Sequence, residues 1–460
     1  MTHILHRSIH AALPTAVSGR GLTIRDTDGR EYIDASGGAA VSCLGHGHPD
    51  VVAAMRAQMG TLEYAHTSFF TTEVAETLAD DLIANAPEGI GHAYFTSGGS
   101  EAMEAALKLA RQYHVEKGDA QRIRFVARHQ SYHGNTLGAL AIGGSPRRSE
   151  MFSPMLMDVA HIAPCNAYRY RRPDESDAAY GLRAASYLED KLQELGPETV
   201  AAFVAEPIVG ATAGAVTAAE GYFQEIRRIC DRHGVLLILD EVMCGMGRSG
   251  TLHACQRETR PDILTVAKGL GAGYQPIGAV LIGEHIVEAL QSDFRNGHTY
   301  VSHPIACAAA LAVQRVIRCD NLLDNVNRQG ERLQAALVSR FGNSDNIGDI
   351  RGRGLFRAIE IVADRGTKRP FVKEAGIAGR IKNNAMARGL CVYPGQGTAN
   401  GRDGDHILIA PPFIVDEQAI EAIVERLGAA VDAALGEVQE NRGGTADYEV
   451  ASRHPVNNRR

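Results

Sequence analysis

Val235-Leu236-Leu237-Ile238-Leu239-Asp240-Glu241 is an unbroken aliphatic run that ends in two carboxylates. A run this short and this apolar is a strand buried on both faces, and such strands belong to parallel sheets covered by helices. Ligands of α/β sheets bind beyond the carboxyl ends of the strands. Asp240 is therefore a candidate functional residue. The acidic strand of a nucleotide hydrolase looks similar, but that reading needs a G-x-x-x-x-G-K-[ST] loop. The chain has no Gly-Lys pair.

The same rhythm continues on both sides of the run. Ala93 to Thr96, Ile123 to Ala127, Val200 to Ala205, Ile263 to Ala267 and Ala279 to Ile282 are short apolar segments, separated by helical patterns from Ser100 and from Ala219. Strand-helix alternation predicts an α/β fold with a largely parallel sheet. Ser100 is placed to cap the helix Ser100 to Glu116, and Gly118-Asp119 to end it. Upstream, Asp28-Gly29 between two apolar segments predicts a hairpin. Downstream of residue 325, strands at Leu355 to Val362, Leu390 to Tyr393 and Ile407 to Ile409, with helices at Glu374 to Arg388 and Asp416 to Leu435, predict a smaller α+β domain. The division expected is an arm and hairpin over 1–55 that joins the small domain, a large domain over 56–324, the rest of the small domain over 325–440, and a mobile tail over 441–460.

A chain of 460 residues suits two or three domains. Its 47 basic and 54 acidic residues leave a formal charge of -7, the reverse of a nucleic-acid-binding footprint. No segment approaches the ~20 apolar residues of a membrane span. The eight cysteines form no C-x-x-C pair, which fits reduced thiols in a cytoplasmic protein. Two oddities remain: 49 glycines, and no tryptophan.

Three further segments carry chemistry. Lys268 ends the run Ile263 to Ala267 and is followed by Gly269, Gly271 and Gly273. Burial lowers a lysine pKa and frees the neutral amine, and side-chain-free backbone lets a flat ligand approach. The competing reading is a lysine that extends to the surface. Phe95 to Glu101 is strand, Gly98-Gly99 turn and helix start, which is an anion site of the kind phosphate occupies. Tyr132-His133-Gly134 offers a ring for stacking and an imidazole, or else a packed loop.

A phosphate cradle, a stacking ring, a carboxylate and a lysine at loop ends of one domain are the parts that hold pyridoxal 5'-phosphate. With Gly45-His46-Gly47-His48-Pro49, Thr96 to Ala102, Tyr132-His133-Gly134, Ala205-Glu206-Pro207-Ile208, Leu239-Asp240-Glu241-Val242, Ala267-Lys268-Gly269, Gly297-His298-Thr299-Tyr300 and Arg351-Gly352-Arg353-Gly354-Leu355 in this order, the chain resembles the class III, or ornithine/ω-amino acid, aminotransferases of fold type I. The resemblance covers Arg20 to Leu435.

It implies roles. Lys268 is the lysine that bonds to the cofactor and shuttles the substrate proton, and Asp240 is the partner of the pyridine nitrogen. Gly99 and Ser100 hold the phosphate, with Thr299 reaching it from a neighbouring subunit of a homodimer or dimer of dimers. Tyr132 and Val242 sandwich the ring, with His133 and Glu206 beside it. Arg351, gated by Glu206, and Arg402, in the stretch Gly395 to Gly404, are candidate receptors for a substrate carboxylate. Amine-pyruvate members carry Trp where Ala39-Ala40 stands, so a wider pocket and longer amino donors are implied. The reaction expected is transfer of an amino group from an ω-amino acid, diamine or related amine to pyruvate or 2-oxoglutarate by a ping-pong mechanism. Alternatives are an aminomutase or decarboxylase on the same scaffold, and a metal-dependent hydrolase using His46, His48, His133 and the Asp240-Glu241 pair. No metal, nucleic acid or membrane partner is expected.

Overall fold

The computed structural model describes residues 3–8 and 12–451, the side chains of 441–451 excepted. Seven strands form the central sheet, in the order Ile90–Thr96, Gly278–Gly283, Ile263–Val266, Leu236–Asp240, Val200–Ala205, Arg124–Arg128, Ala160–Ile162. Every pairing is parallel except the two made by Gly278–Gly283. That strand follows its neighbour Ile263–Val266 after one short Gly-rich connection, too short for the crossover a parallel strand requires.

Alternation along the strands divides the core in two. Leu237 and Leu239 pack with Phe203, Leu264 and Val266 on one face, under helices that include Tyr222–His233. Leu236 and Ile238 pack with Ala202, Val204 and Ile263 on the other, under helix Gly99–Glu116. A strand with both faces covered must be apolar throughout, which is why Leu236–Asp240 is fully buried.

The second layer is a four-stranded antiparallel sheet, Ile347–Arg353, Phe356–Ile361, Asp405–Ile409 and Tyr393–Gln396. Helices Leu322–Phe341, Ile377–Ala387 and Glu417–Ala451 share its core. The N-terminal strands Thr23–Asp26 and Glu31–Asp34 form the expected hairpin, with Gly29 at φ 80° in its turn. Leu390–Cys391 adds to it in parallel, and Ala35, Leu44 and Val51 enter the second core.

Two expectations are corrected, and two elements are added. Helix Gly99–Glu116 follows an extended Gly98, and Ser100 caps nothing: its Oγ accepts the Asn135 N–H at 3.0 Å. The last helix, expected to end at Leu435, continues to Ala451, and 452–460 of the expected tail lie outside the described residues. Helix Leu322–Phe341 and strand Ile347–Arg353 were not read as elements. Among the described residues all eight cysteines are free, six of them buried, and no helix is long and apolar enough to cross a membrane.

Candidate active site

A cavity of about 390 Å³ opens at the carboxyl ends of the central strands. Gly99, Ser100, Tyr132, His133, Glu206, Asp240, Val242 and Lys268 all line it. They come from five separate segments. The sheet brings them together because each follows a parallel strand or its neighbour.

Asp240 is the last residue of Leu236–Asp240, and its carboxylate is held from two sides. Oδ1 accepts the Val242 N–H at 2.9 Å, and Oδ2 lies 2.8 Å from His133 Nδ1. A carboxylate can only accept, so Nδ1 carries the hydrogen and the tautomer is set. His133 is buried with Nε2 unpartnered.

Lys268 stands two residues beyond Ile263–Val266 at φ 46°, a left-handed conformation that costs a side-chain-bearing residue energy. Its carbonyl accepts the N–H groups of Gly271 and Ala272, which hold the turn. Burial lowers the amine to a pKa of about 8, and the negative charges of Asp240 and Glu206 oppose a larger fall. A neutral amine is thus accessible near physiological pH, beside a fixed carboxylate.

At the far wall, Gly98 and Gly99 pass from strand Ile90–Thr96 into helix Gly99–Glu116. The turn is tight at Gly99 and against the neighbouring strand at Gly278. A Cβ on Gly99 would stand 2.7 Å from Val242 Cγ1, and one on Gly278 would stand 2.5 Å from the Gly98 carbonyl oxygen. Unpaired N–H groups and the helix dipole make this end attractive to an anion.

Glu206 is buried and pins two loops, accepting Tyr132 N–H at 3.0 Å and Gly210 N–H at 2.9 Å. Burial raises its pKa in spite of these bonds. It does not meet Arg351. That guanidinium pairs with Asp349 Oδ2 at 2.9 Å and Glu360 Oε2 at 2.6 Å, and donates to the Gly214 and Ala213 carbonyls. In the strand register Asp349 faces Glu360 and Arg351 faces Ala358, so one sheet face collects all three charges. The expected Glu206–Arg351 gate is therefore not formed. Arg402 is exposed and pairs with Glu150, outside the cavity lining. Thr299 also lies outside its own chain's cavity, exposed, with its carbonyl accepting the Tyr64 hydroxyl.

The structure adds lining residues that sequence reasoning missed, among them Val41, Met243 and Gln275. Val41 is informative. The segment expected to lack an indole presents Val41 to the cavity, while Ala40 is buried. Gly37 and Gly38, both at positive φ just upstream, were the available signal for a tight approach.

The parts fit pyridoxal phosphate: an anion-binding helix start, a carboxylate held by a histidine, an amine with depressed pKa, and a cavity bounded by Tyr132 and Val242. For the metal reading, no group of three or more His, Cys, Asp or Glu side chains among the described residues could hold an ion. His46 instead pairs with Asp34.

Comparison with known proteins agrees. The family model described as "Aminotransferase class-III" matches residues 6–431. An uncharacterised aminotransferase of Schizosaccharomyces pombe is 42% identical over 93% of this chain and 95% of its own length. The chloroplastic gamma aminobutyrate transaminase 3 of Solanum lycopersicum is 33% identical over 91% of this chain and 81% of its own. Among solved structures, the omega transaminase of Pseudomonas jessenii in complex with PMP superposes with a TM-score of 0.87, at 31% identity, covering 93% of this chain and 94% of that one.

Proposed function

The chain belongs to the class III aminotransferases, which use pyridoxal phosphate, and from that membership we propose that it moves the amino group of an ω-amino acid, diamine or related amine onto a 2-oxo acid, pyruvate or 2-oxoglutarate, in two alternating half-reactions. One observation carries the reading: Lys268, Asp240 and the Gly98–Ser100 helix start line one cavity. The similarity to a gamma aminobutyrate transaminase supports an ω-amino donor.

On this reading the amides of Gly99 and Ser100 would hold the phosphate, Asp240 would serve the ring nitrogen, Tyr132 and Val242 would flank the ring, and Lys268 would anchor the cofactor. When bound, the cofactor supplies an electron-poor ring that accepts the electron pair left at the substrate carbon. The protein does the rest. His133 keeps Asp240 oriented so that its charge is spent on one atom. The neutral Nζ of Lys268 takes a proton from the substrate and returns it.

Thr299, exposed and outside its own cavity, is read as serving the phosphate site of a second copy, in a homodimer or dimer of dimers. Six buried unpaired cysteines are consistent with a reducing compartment, the cytoplasm.

The test is a half-reaction screen. Holoenzyme is mixed with a panel of amines and its visible absorbance followed. Bleaching by ω-amino acids or diamines is the expected result. Bleaching by α-amino acids alone would overturn the donor class, and no bleaching by any amine would overturn the function.

A further inference from the structure

Both arginines expected to receive a substrate carboxylate are engaged elsewhere, Arg351 by Asp349 and Glu360 and Arg402 by Glu150. A third guanidinium packs against a ring that lines the cavity. Arg148, on the short turn Pro146–Ser149, holds its Cζ 4.6 Å from the centroid of the Tyr132 ring, and Tyr132 lines the cavity. Arg148 is exposed, and among the described residues no carboxylate is paired with it. Its neighbour Arg147 is committed, to Gln396 Oε1 and the Arg402 carbonyl.

Stacking engages the face of a guanidinium and leaves its in-plane N–H groups free. Those N–H groups form the fork that matches a carboxylate. Resting on Tyr132 also restricts the arginine before any ligand arrives, so less freedom is lost on binding. Arg148 also borders a separate hollow of about 360 Å³, shared with Ser145, Arg147, Pro394, Gly395 and Gln396. The positive charge reaches inward as well: Arg148 is among the groups that depress the Lys268 amine, and both Arg148 and Arg7 act on the Tyr132 hydroxyl.

We propose that Arg148, held over the ring of the cavity-lining Tyr132, receives the distal carboxylate of an ω-amino donor and is the residue that selects ω-amino acids over plain amines. The proposal rests on the donor class argued above.

The experiment compares 4-aminobutyrate with butylamine, which has the same carbon chain length without the carboxylate, in wild type and in Arg148→Gln. The kcat/KM ratio of the acid over the amine is expected to fall about 10- to 100-fold, the range of a charge-assisted hydrogen-bonded pair. Calorimetric binding of butyrate, which has no amine to react, should weaken by a similar factor. Arg148→Lys, which keeps the charge and loses the fork, should fall between the two and serves as the test if the glutamine variant does not fold. An unchanged ratio with unchanged butyrate binding overturns Arg148 alone. A wild type that accepts butylamine and no ω-amino acid overturns the donor class, and Arg148 with it.

Discussion

Lys268 combines a left-handed backbone, a buried amine and a pKa of about 8. The sign of that shift makes a prediction: the amine is protonated below about pH 8 and neutral above it. In cofactor-free protein, capture of Lys268 by a small aldehyde and borohydride, followed by mass spectrometry, should rise through pH 8 and then level. A rise centred near pH 10, the range of an ordinary lysine, would contradict the burial argument. Gly99 gives a second test. Its missing Cβ would stand 2.7 Å from Val242 Cγ1, so Gly99→Ala should cost about 1–3 kcal/mol by overpacking. Adding Val242→Ala should recover much of that in thermal melts, because the clash is with that side chain.

At the scale of elements, the strand Leu236–Asp240 and the loop carrying His133 act as one unit through the 2.8 Å Nδ1–Oδ2 contact. Asp240→Asn should lower kcat by about 10²–10³, the usual loss for one preorganised electrostatic group. Glu206 joins two other loops by accepting the Tyr132 and Gly210 N–H groups. Glu206→Ala leaves both donors unpaired and should destabilise the protein by about 1–3 kcal/mol in urea melts, whereas Glu206→Gln, which keeps an acceptor, should cost less. Asp240 and Lys268 were legible in the sequence because each is a polar residue at the end of an uninterrupted buried strand, a local pattern. The partners of Arg351 were not, because Glu360 is brought to it by the register of a strand pair, and register is set by turns and packing rather than by either segment alone. Ser100 illustrates the same limit. A serine at a helix start reads as a cap, yet its hydroxyl is drawn to Asn135, a loop that no local pattern links to it.

For the whole molecule, the α/β alternation was readable over the central sheet, where both-face burial makes strands conspicuous. Strand Ile347–Arg353 was missed because it is only half-buried and carries Gly348, Asp349, Arg351 and Gly352. The N-terminal hairpin and the second sheet share a core across more than 300 residues of chain, so their association follows from tertiary packing. Thr299 extends the reasoning to two copies. If it serves the partner, mixing Lys268→Ala with Thr299→Val subunits should create one intact site per hybrid dimer, read as cofactor affinity of wild-type strength in that site; a hybrid with only weak sites would place Thr299 in its own chain's site. On the proposed function, nitrogen passes from an ω-amine to a 2-oxo acid through this cavity. The most direct measurement follows ¹⁵N from labelled 4-aminobutyrate in the presence of pyruvate or 2-oxoglutarate. Label recovered in the new α-amino acid, and lost with Lys268→Ala, is the result expected. Label released as ammonia, retained in a rearranged donor, or transferred undiminished by Lys268→Ala would contradict it.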